Sequence, residues 1–202
     1  FKMALERLTA PASDGGGGYR FIGMDHFARP DDELARAQDA GALHRNFQGY
    51  STRAGADVYA FGVSGIHQLT SLYAQNVKAL DAYYKRIDAG HPTVFRGYAL
   101  TTDDRLRRHV ITELMCHFRL EKAAVERWAE ATLDRTIDFD AYFADALSAL
   151  DPLADDGLVA LHGDVIEVSP KGQLLIRNVA AAFDAYLKRS AAQKRPVYSQ
   201  TV

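Results

Sequence analysis

The chain has 202 residues, 48% of them hydrophobic and 25% charged, an ordinary globular composition with enough material to bury a core as one domain or two small ones. Its formal net charge of −2 gives no support for a nucleic-acid partner, which needs a basic excess or stripe. A single cysteine, Cys116, excludes an internal disulfide framework and a cluster held by several cysteines of this chain, and it fits a reducing, cytoplasmic setting.

The spacing of Met3, Leu5 and Leu8 predicts a short amphipathic helix over 3–9, running into a flexible glycine-rich connection over 11–18. The start lacks the apolar core of a secretory signal, and beginning at Phe1 rather than Met suggests a fragment. Residues 19–24 are aromatic and β-branched and predict a strand whose C-terminal end delivers Asp25 and His26. Pro30 with Asp31-Asp32 suits a helix start, and Gly41 suits its end. Residues 57–63 predict a second buried strand, ending in Ser64-Gly65-Ile66. With the helices between them, the two strands read as one αβαβ segment of an α/β sheet or partial barrel. Such folds place ligands at the carboxyl ends of their strands, which points to Asp25-His26 and Ser64-Gly65-Ile66.

A long helix is predicted over 73–88, with Val77, Leu80, Tyr84 and Ile87 on one face and Gly90 past its end. Residues 96–100 read as a connector, after which the character of the chain changes. Thr101 and Asp104 have capping-box spacing, and Leu106, Val110, Ile111, Leu114 and Phe118 form a helical stripe. Further helices are expected over 121–132 and 139–150. Two short strands, 157–162 and 165–168, are joined by the hairpin dipeptide Gly163-Asp164, and a final helix runs over 171–189. Helices followed by a hairpin and a last helix resemble a winged-helix module. The expected organisation is therefore one domain over 1–100, a second over 101–189, and a flexible polar tail over 190–202. No run approaches the roughly 20 apolar residues needed to span a bilayer, so no membrane is expected.

Polar groups collect in two runs, Asp25-His26-Phe27-Ala28-Arg29-Pro30 and His44-Arg45-Asn46-Phe47-Gln48-Gly49-Tyr50. His26 beside Asp25 could transfer protons or contact substrate, although a structural, hydrogen-bonded histidine is the stronger reading of the pair alone. His44 could cap the helix before it. In Phe47-Gln48-Gly49-Tyr50, glycine permits close backbone approach, an aromatic face can stack and an amide can hydrogen-bond. The bland alternative is a turn with two core aromatics. The seven histidines show no HExxH spacing, and no GxGxxG, GxxxxGK[ST] or GxSxG occurs. Cys116, on a predicted amphipathic helix, reads as a small core residue.

Several blocks together carry a family resemblance: Ile22-Gly-Met-Asp-His-Phe-Ala-Arg-Pro30, Leu43-His-Arg-Asn-Phe-Gln-Gly-Tyr50, Tyr73-Ala-Gln-Asn76, Arg96-Gly97, Asp103-Asp104 with Arg107-Arg108, Leu114-Met-Cys116 and Lys171-Gly-Gln-Leu-Leu-Ile-Arg-Asn178. In order and spacing they resemble the C-terminal half of the oxygen-independent coproporphyrinogen III oxidases, radical S-adenosylmethionine (SAM) enzymes of haem and porphyrin biosynthesis. The similarity runs from about Tyr19 to Leu187. It implies an α/β fold: the C-terminal part of a radical-SAM partial (β/α) barrel, followed by a mainly helical, winged-helix-like domain.

The family converts two propionates of coproporphyrinogen III to vinyl groups without oxygen, giving protoporphyrinogen IX. A [4Fe-4S] cluster reduces SAM, and the resulting radical abstracts hydrogen from the propionate. By resemblance two SAM molecules bind, and Phe47, Gln48 and Ile66 match contacts to the second. Asp25, His26 and Arg45 are expected to approach substrate, Arg45 being suited to a propionate. Neither a catalytic residue nor a metal ligand is assigned in this chain.

The family's CxxxCxC motif is missing, so the cluster would be ligated by cysteines outside this chain, and the chain alone is expected to be inactive. Residues 10–18 look like an insertion, and Gly65 and His67 stand where the family usually has alanine and serine. The expected partners are coproporphyrinogen III, the missing N-terminal half and an electron donor, with a monomer when full length. Two other readings stay open: a haem chaperone of the same superfamily, against which Asn46-Phe-Gln-Gly-Tyr50 argues, and a non-catalytic interaction module.

Overall fold

The computed structural model describes residues 2–11 and 18–187. The centre of the glycine-rich connection, the end of the final helix expected over 171–189 and the tail over 190–202 lie outside the described residues.

Helix α1 (Lys2–Thr9) forms as its apolar spacing predicts, though it buries no residue. Strands β1 (Arg20–Gly23) and β2 (His26–Ala28) make an antiparallel hairpin turning at Met24-Asp25. Helix α2 (Glu33–Asp39) starts at Asp32, whose carboxylate accepts the Leu34 N–H at 2.8 Å, and ends just before Gly41, at φ 63°. A second hairpin pairs β3 (His44–Asn46) with β4 (Gly49–Ser51). Strands β5 (Ile66–Gln68), β6 (Leu72–Asn76) and β7 (Val94–Ala99) form an antiparallel sheet in that order, with α3 (Leu80–Asp88) between β6 and β7.

Five expectations for this half need correction. Residues 73–76 are the middle strand of that sheet, not the first turn of a helix; the helical spacing of Val77, Leu80, Tyr84 and Ile87 belongs to the segment that follows. The expected connector over 96–100 is instead most of β7. Residues 57–63 form no strand beyond one bridge from Val58 to Gln68, and Tyr59 and Phe61 point to solvent at 64% and 91% exposure. His44 begins β3 and does not cap a helix. Every strand pair among the described residues is antiparallel, so the two-strand αβαβ unit does not form here.

Helix α4 (Thr102–His117) opens with the predicted capping box. Thr101 Oγ1 accepts the Asp104 N–H at 3.1 Å, and the Asp104 carboxylate accepts the Thr101 N–H at 2.8 Å. Phe118 ends the helix in the left-handed region at φ 56°, turning the chain into β8 (Arg119–Glu121), a strand too short to read from the sequence. Helices α5 (Lys122–Leu133), α6 (Phe139–Tyr142) and α7 (Ala144–Asp155) follow. The single helix expected over 139–150 is thus two, broken at Phe143, whose φ of −106° and ψ of 21° are not helical. Strands β9 (Val159–His162) and β10 (Val165–Val168) pair across Gly163-Asp164 as expected, and β8 joins them in the order β8-β10-β9. Helices α8 (Pro170–Leu174) and α9 (Ile176–Ala181) divide what the sequence suggests as one final helix; Leu175 breaks it at ψ 26°.

Two cores result, and α4 serves both. The larger holds Leu106, Val110 and Leu114 of α4 against Val125, Leu150, Ile166 and Val179, with the rings of Phe139, Phe143 and Phe183 packed together. The smaller gathers Ile22, Ala28, Ala35, Ala37 and Leu43 around Cys116. Cys116 is fully buried and burial pushes its thiol up to about 12, so it packs as a small apolar residue.

Candidate functional site

The site is built where the two hairpins meet α4. Tyr50 stands at the junction: its hydroxyl donates to the Met115 carbonyl at 3.0 Å, its ring meets the His26 imidazole edge-on at 5.2 Å, and the Arg45 guanidinium lies over its face at 4.9 Å. Burial pushes the Tyr50 phenol up to about 12, so it stays a neutral donor. Gly49 is needed beside it. It sits at φ 144°, and a Cβ there would come within 3.0 Å of His26 Nε2. Gly23 plays the matching part in the other hairpin, since its Cβ would meet Tyr50 Oη at 2.2 Å.

His26 Nδ1 lies 2.9 Å from Asp25 Oδ1, an ion-pair distance, but no acceptor sits in hydrogen-bonding geometry to that nitrogen. Asp25 is mostly exposed on the hairpin turn. These two residues do not line the cavity that Arg45 and Phe47 share. That cavity, of about 600 Å³, runs between the β3–β4 hairpin, α4 and residues 184–186, with Ile111 and Met115 on its apolar side.

The Phe47 ring is 65% exposed. The loop carrying it is fixed at two points: Phe47 N–H donates to Gln68 Oε1 at 3.0 Å, and Gln48 N–H donates to Asn46 Oδ1 at 2.9 Å. Gln68 lies two residues from Ile66 along β5, so one bond ties the Phe47-Gln48 loop to the strand of Ile66. The structure thus brings together Arg45, Phe47, Gln48 and β5, and leaves Asp25 and His26 out of the cavity lining.

The loop before Ile66 is organised by Asn76, 1% exposed, whose importance the sequence does not signal outside the family blocks. Its Nδ2 donates to the carbonyls of Gly62 (2.9 Å) and Ala60 (3.3 Å), and its Oδ1 accepts from Thr93 Oγ1 (2.9 Å). His67 completes the network: Nδ1 accepts the Ala60 N–H at 3.3 Å, which leaves Nε2 carrying the proton toward Asn76 Oδ1 at 3.2 Å.

A second cavity, of about 380 Å³, opens on the other side of Arg108 and is lined in part by His44, Arg105, His109, Glu113 and Trp128. His109 stacks on Trp128 at 3.9 Å with the rings 12° apart, and burial, then the charge of His44, lowers it to about 4. Burial also lowers His44 and His117 and raises Glu113, so neutral forms are favoured throughout.

Residues 100–175 match the family model described as the HemN C-terminal domain. The chain is 50% identical over 177 residues to an oxygen-independent coproporphyrinogen III oxidase of Synechocystis, covering 88% of this chain and 38% of that one. It is 50% identical over 193 residues to that of Thermostichus vulcanus, covering 95% and 56%. The solved structure described as "Coproporphyrinogen III oxidase (HemN) from Escherichia coli is a Radical SAM enzyme" superposes with a TM-score of 0.79 at 48% identity, covering 90% of this chain and 40% of that one. Fold and sequence together therefore define a C-terminal section of a radical SAM protein. Within that class, residues 100–175 carry the HemN C-terminal domain, and the chain is similar throughout to the C-terminal part of the oxygen-independent coproporphyrinogen III oxidases. It spans about two fifths of the length of the Synechocystis and Escherichia coli proteins.

The residues present do not suit the iron–sulfur cluster of such enzymes. The one cysteine is buried as a protonated thiol, and no cluster of three His, Cys, Asp or Glu among the described residues could hold a metal. They do suit an adenosyl group: an exposed aromatic face, a neighbouring amide and a hydrogen-bonded loop stand side by side at Phe47 and Gln48.

Proposed function

We propose that this chain is the C-terminal portion of an enzyme that oxidatively decarboxylates two propionates of coproporphyrinogen III, giving protoporphyrinogen IX, without oxygen. The single observation carrying this reading is 50% identity across 88% of the chain to a protein of that name. The cluster and SAM would supply the one-electron chemistry, and the cluster's cysteines would lie outside this chain. In this part of the enzyme, Phe47 would stack against SAM, Gln48 would hydrogen-bond to it, and Ile66 would close the wall behind it. Arg45 would hold a substrate carboxylate, while Asp25 and His26 approach substrate from the hairpin turn.

Residues 1–100 are read as the end of the radical-SAM barrel domain, with 101–189 as a winged-helix-like domain. The order α4-β8-α5-α6-α7-β9-β10, with an antiparallel sheet β8-β10-β9, supports the second assignment. We read the site as cytoplasmic; no helix among the described residues is long and apolar enough to cross a membrane. An electron donor and a monomeric full-length state complete the proposal.

The test is anaerobic decarboxylation of coproporphyrinogen III, with SAM and a reductant, by this chain alone and by the chain joined to a cluster-binding N-terminal half. Activity in the joined form alone is the expected result. An inactive joined protein that binds haem tightly would turn the reading to a haem chaperone.

A further inference from the structure

Arg108 lines both cavities and is fully committed. Its Nη1 and Nη2 donate to the carbonyls of Leu69 (3.2 Å) and Thr70 (2.8 Å), and its guanidinium lies over Tyr73. Beyond it, the cavity of about 380 Å³ is walled by one face of α4, where Arg105, His109 and Thr112 follow at helical spacing. His44 of β3, Gln68 of β5 and Trp128 of α5 close the other sides.

Hydrogen-bond donors dominate this lining. Arg105 is half-buried and has neither a hydrogen-bond nor an ion-pair partner among the described residues. His44 and His109 make no side-chain hydrogen bond among those residues either, and each, held neutral by burial, can offer one N–H. Gln68 spends Oε1 on the Phe47 N–H at 3.0 Å, which leaves its Nε2 donors free. The acidic groups of the lining do not answer these donors. Asp57 Oδ1 already accepts the Thr70 N–H at 2.7 Å and the Thr70 hydroxyl at 3.2 Å, and burial disfavours the charge of Glu113. Half-buried donors without acceptors are costly, most of all where one is a cation, and a ligand that brings anionic oxygens removes that cost.

We propose that this cavity is a binding site for a small phosphate monoester, with Arg105 gripping the phosphoryl oxygens, His44, His109 and Gln68 donating to them, and Leu69 and Trp128 flanking the apolar body. A phosphate is favoured over a carboxylate because the donors come from three elements, β3, β5 and α4, which suits a tetrahedral group with oxygens directed to several sides. The stack of His109 on Trp128, at 3.9 Å and 12°, holds that imidazole in place. The volume, near the lower end of small-molecule pockets, admits one small ring or chain beside the phosphoryl group. Nothing in this site depends on the oxidase reading.

The test is calorimetric titration of the folded 202-residue chain with phenyl phosphate, inorganic phosphate and acetate at matched ionic strength, with tryptophan fluorescence recorded alongside. Trp128 is the chain's one tryptophan, so its emission reports on this cavity. Phenyl phosphate should shift that emission and bind at least tenfold more tightly than acetate, with inorganic phosphate between them. Arg105→Gln should weaken phenyl phosphate about tenfold, the loss of one charge-assisted contact, and Arg105→Lys should recover part of that loss. The exposed Arg36→Gln, on α2, should change nothing. Absence of binding, acetate binding as tightly as phenyl phosphate, binding heat with Trp128 unmoved, or indifference to Arg105→Gln would each overturn the site.

Discussion

Tyr50 Oη donates a 3.0 Å hydrogen bond to the carbonyl of Met115, 65 residues away. Met115 lies in the last turn of α4, where carbonyls have no partner further along the helix. The tyrosine therefore completes the helix end and ties the β3–β4 hairpin to it, at the point where Arg45 and His26 also pack on the same ring.

Tyr50→Phe keeps the ring and removes only that bond. It should cost about 1–2 kcal/mol, because a partly buried carbonyl loses its donor. Denaturant unfolding measures it; a midpoint equal to wild type would mean that water replaces the hydroxyl.

Asn76→Ala removes the donors to Ala60 and Gly62 and the acceptor for Thr93 and His67. The expected loss is about 2–4 kcal/mol, as several buried polar groups are left unpaired. Hydrogen exchange should rise first over residues 60–66. Asn76→Asp should be at least as harmful, since a carboxylate cannot donate to the two carbonyls. Unchanged protection of 60–66 in both variants would refute a positioning role.

Three half-buried histidines, two of them lining the second cavity, make stability pH-dependent. His44, His109 and His117 are held below their ordinary 6.5 chiefly by burial, His109 down to about 4. Between those values the unfolded chain binds more protons than the folded one, so stability should fall as pH drops from 6.5 toward 4. Glu113 works in the opposite direction, its raised carboxyl favouring the folded state at low pH and losing that contribution as pH rises past 4.5. Three imidazoles against one carboxyl set the net sign, most cleanly between 6.5 and 5. Urea midpoints across that range should decline with acid, and less steeply for His109→Gln. A flat profile would contradict it.

The parts of the fold legible in the sequence are those with local chemistry. Asp32 and Gly41 bound α2, Thr101 with Asp104 starts α4, and Gly163-Asp164 turns β9 into β10. Strands of three residues, such as β3 and β8, are too short to show a period of two. Residues 57–63 carry strand-like aromatics, yet the carbonyls of Ala60 and Gly62 go to the Asn76 side chain, a tertiary contact that no local pattern encodes. The same limit applies to the site. Arg45 and Phe47 sit in a visibly polar run, whereas Arg177 joins them only because α9 folds back against α4.

Cys116→Ser should retain the fold at a cost of about 1–2 kcal/mol, the penalty for placing a hydroxyl in the small apolar core. The native thiol should resist Ellman's reagent at pH 8, being fully buried and displaced to about 12, and react at once in denaturant. Rapid labelling of the folded chain would show that this core opens readily.

In the protein joined to a cluster-binding half, Gln48→Ala and Ile66→Trp should impair SAM-dependent decarboxylation about tenfold or more while leaving iron content unchanged. The first removes one hydrogen bond to a buried ligand, worth about 1.5 kcal/mol. The second places a large ring on β5 beside Gln68, whose amide oxygen holds the Phe47 loop. Tm separates the outcomes for Ile66→Trp: a stable but inactive variant marks a ligand wall, whereas loss of iron together with Tm would mark Ile66 as structural. Gln48 is exposed, and its backbone N–H rather than its side chain holds the turn, so Gln48→Ala should leave Tm unmoved. Any loss of activity there then reports on contact with the ligand itself.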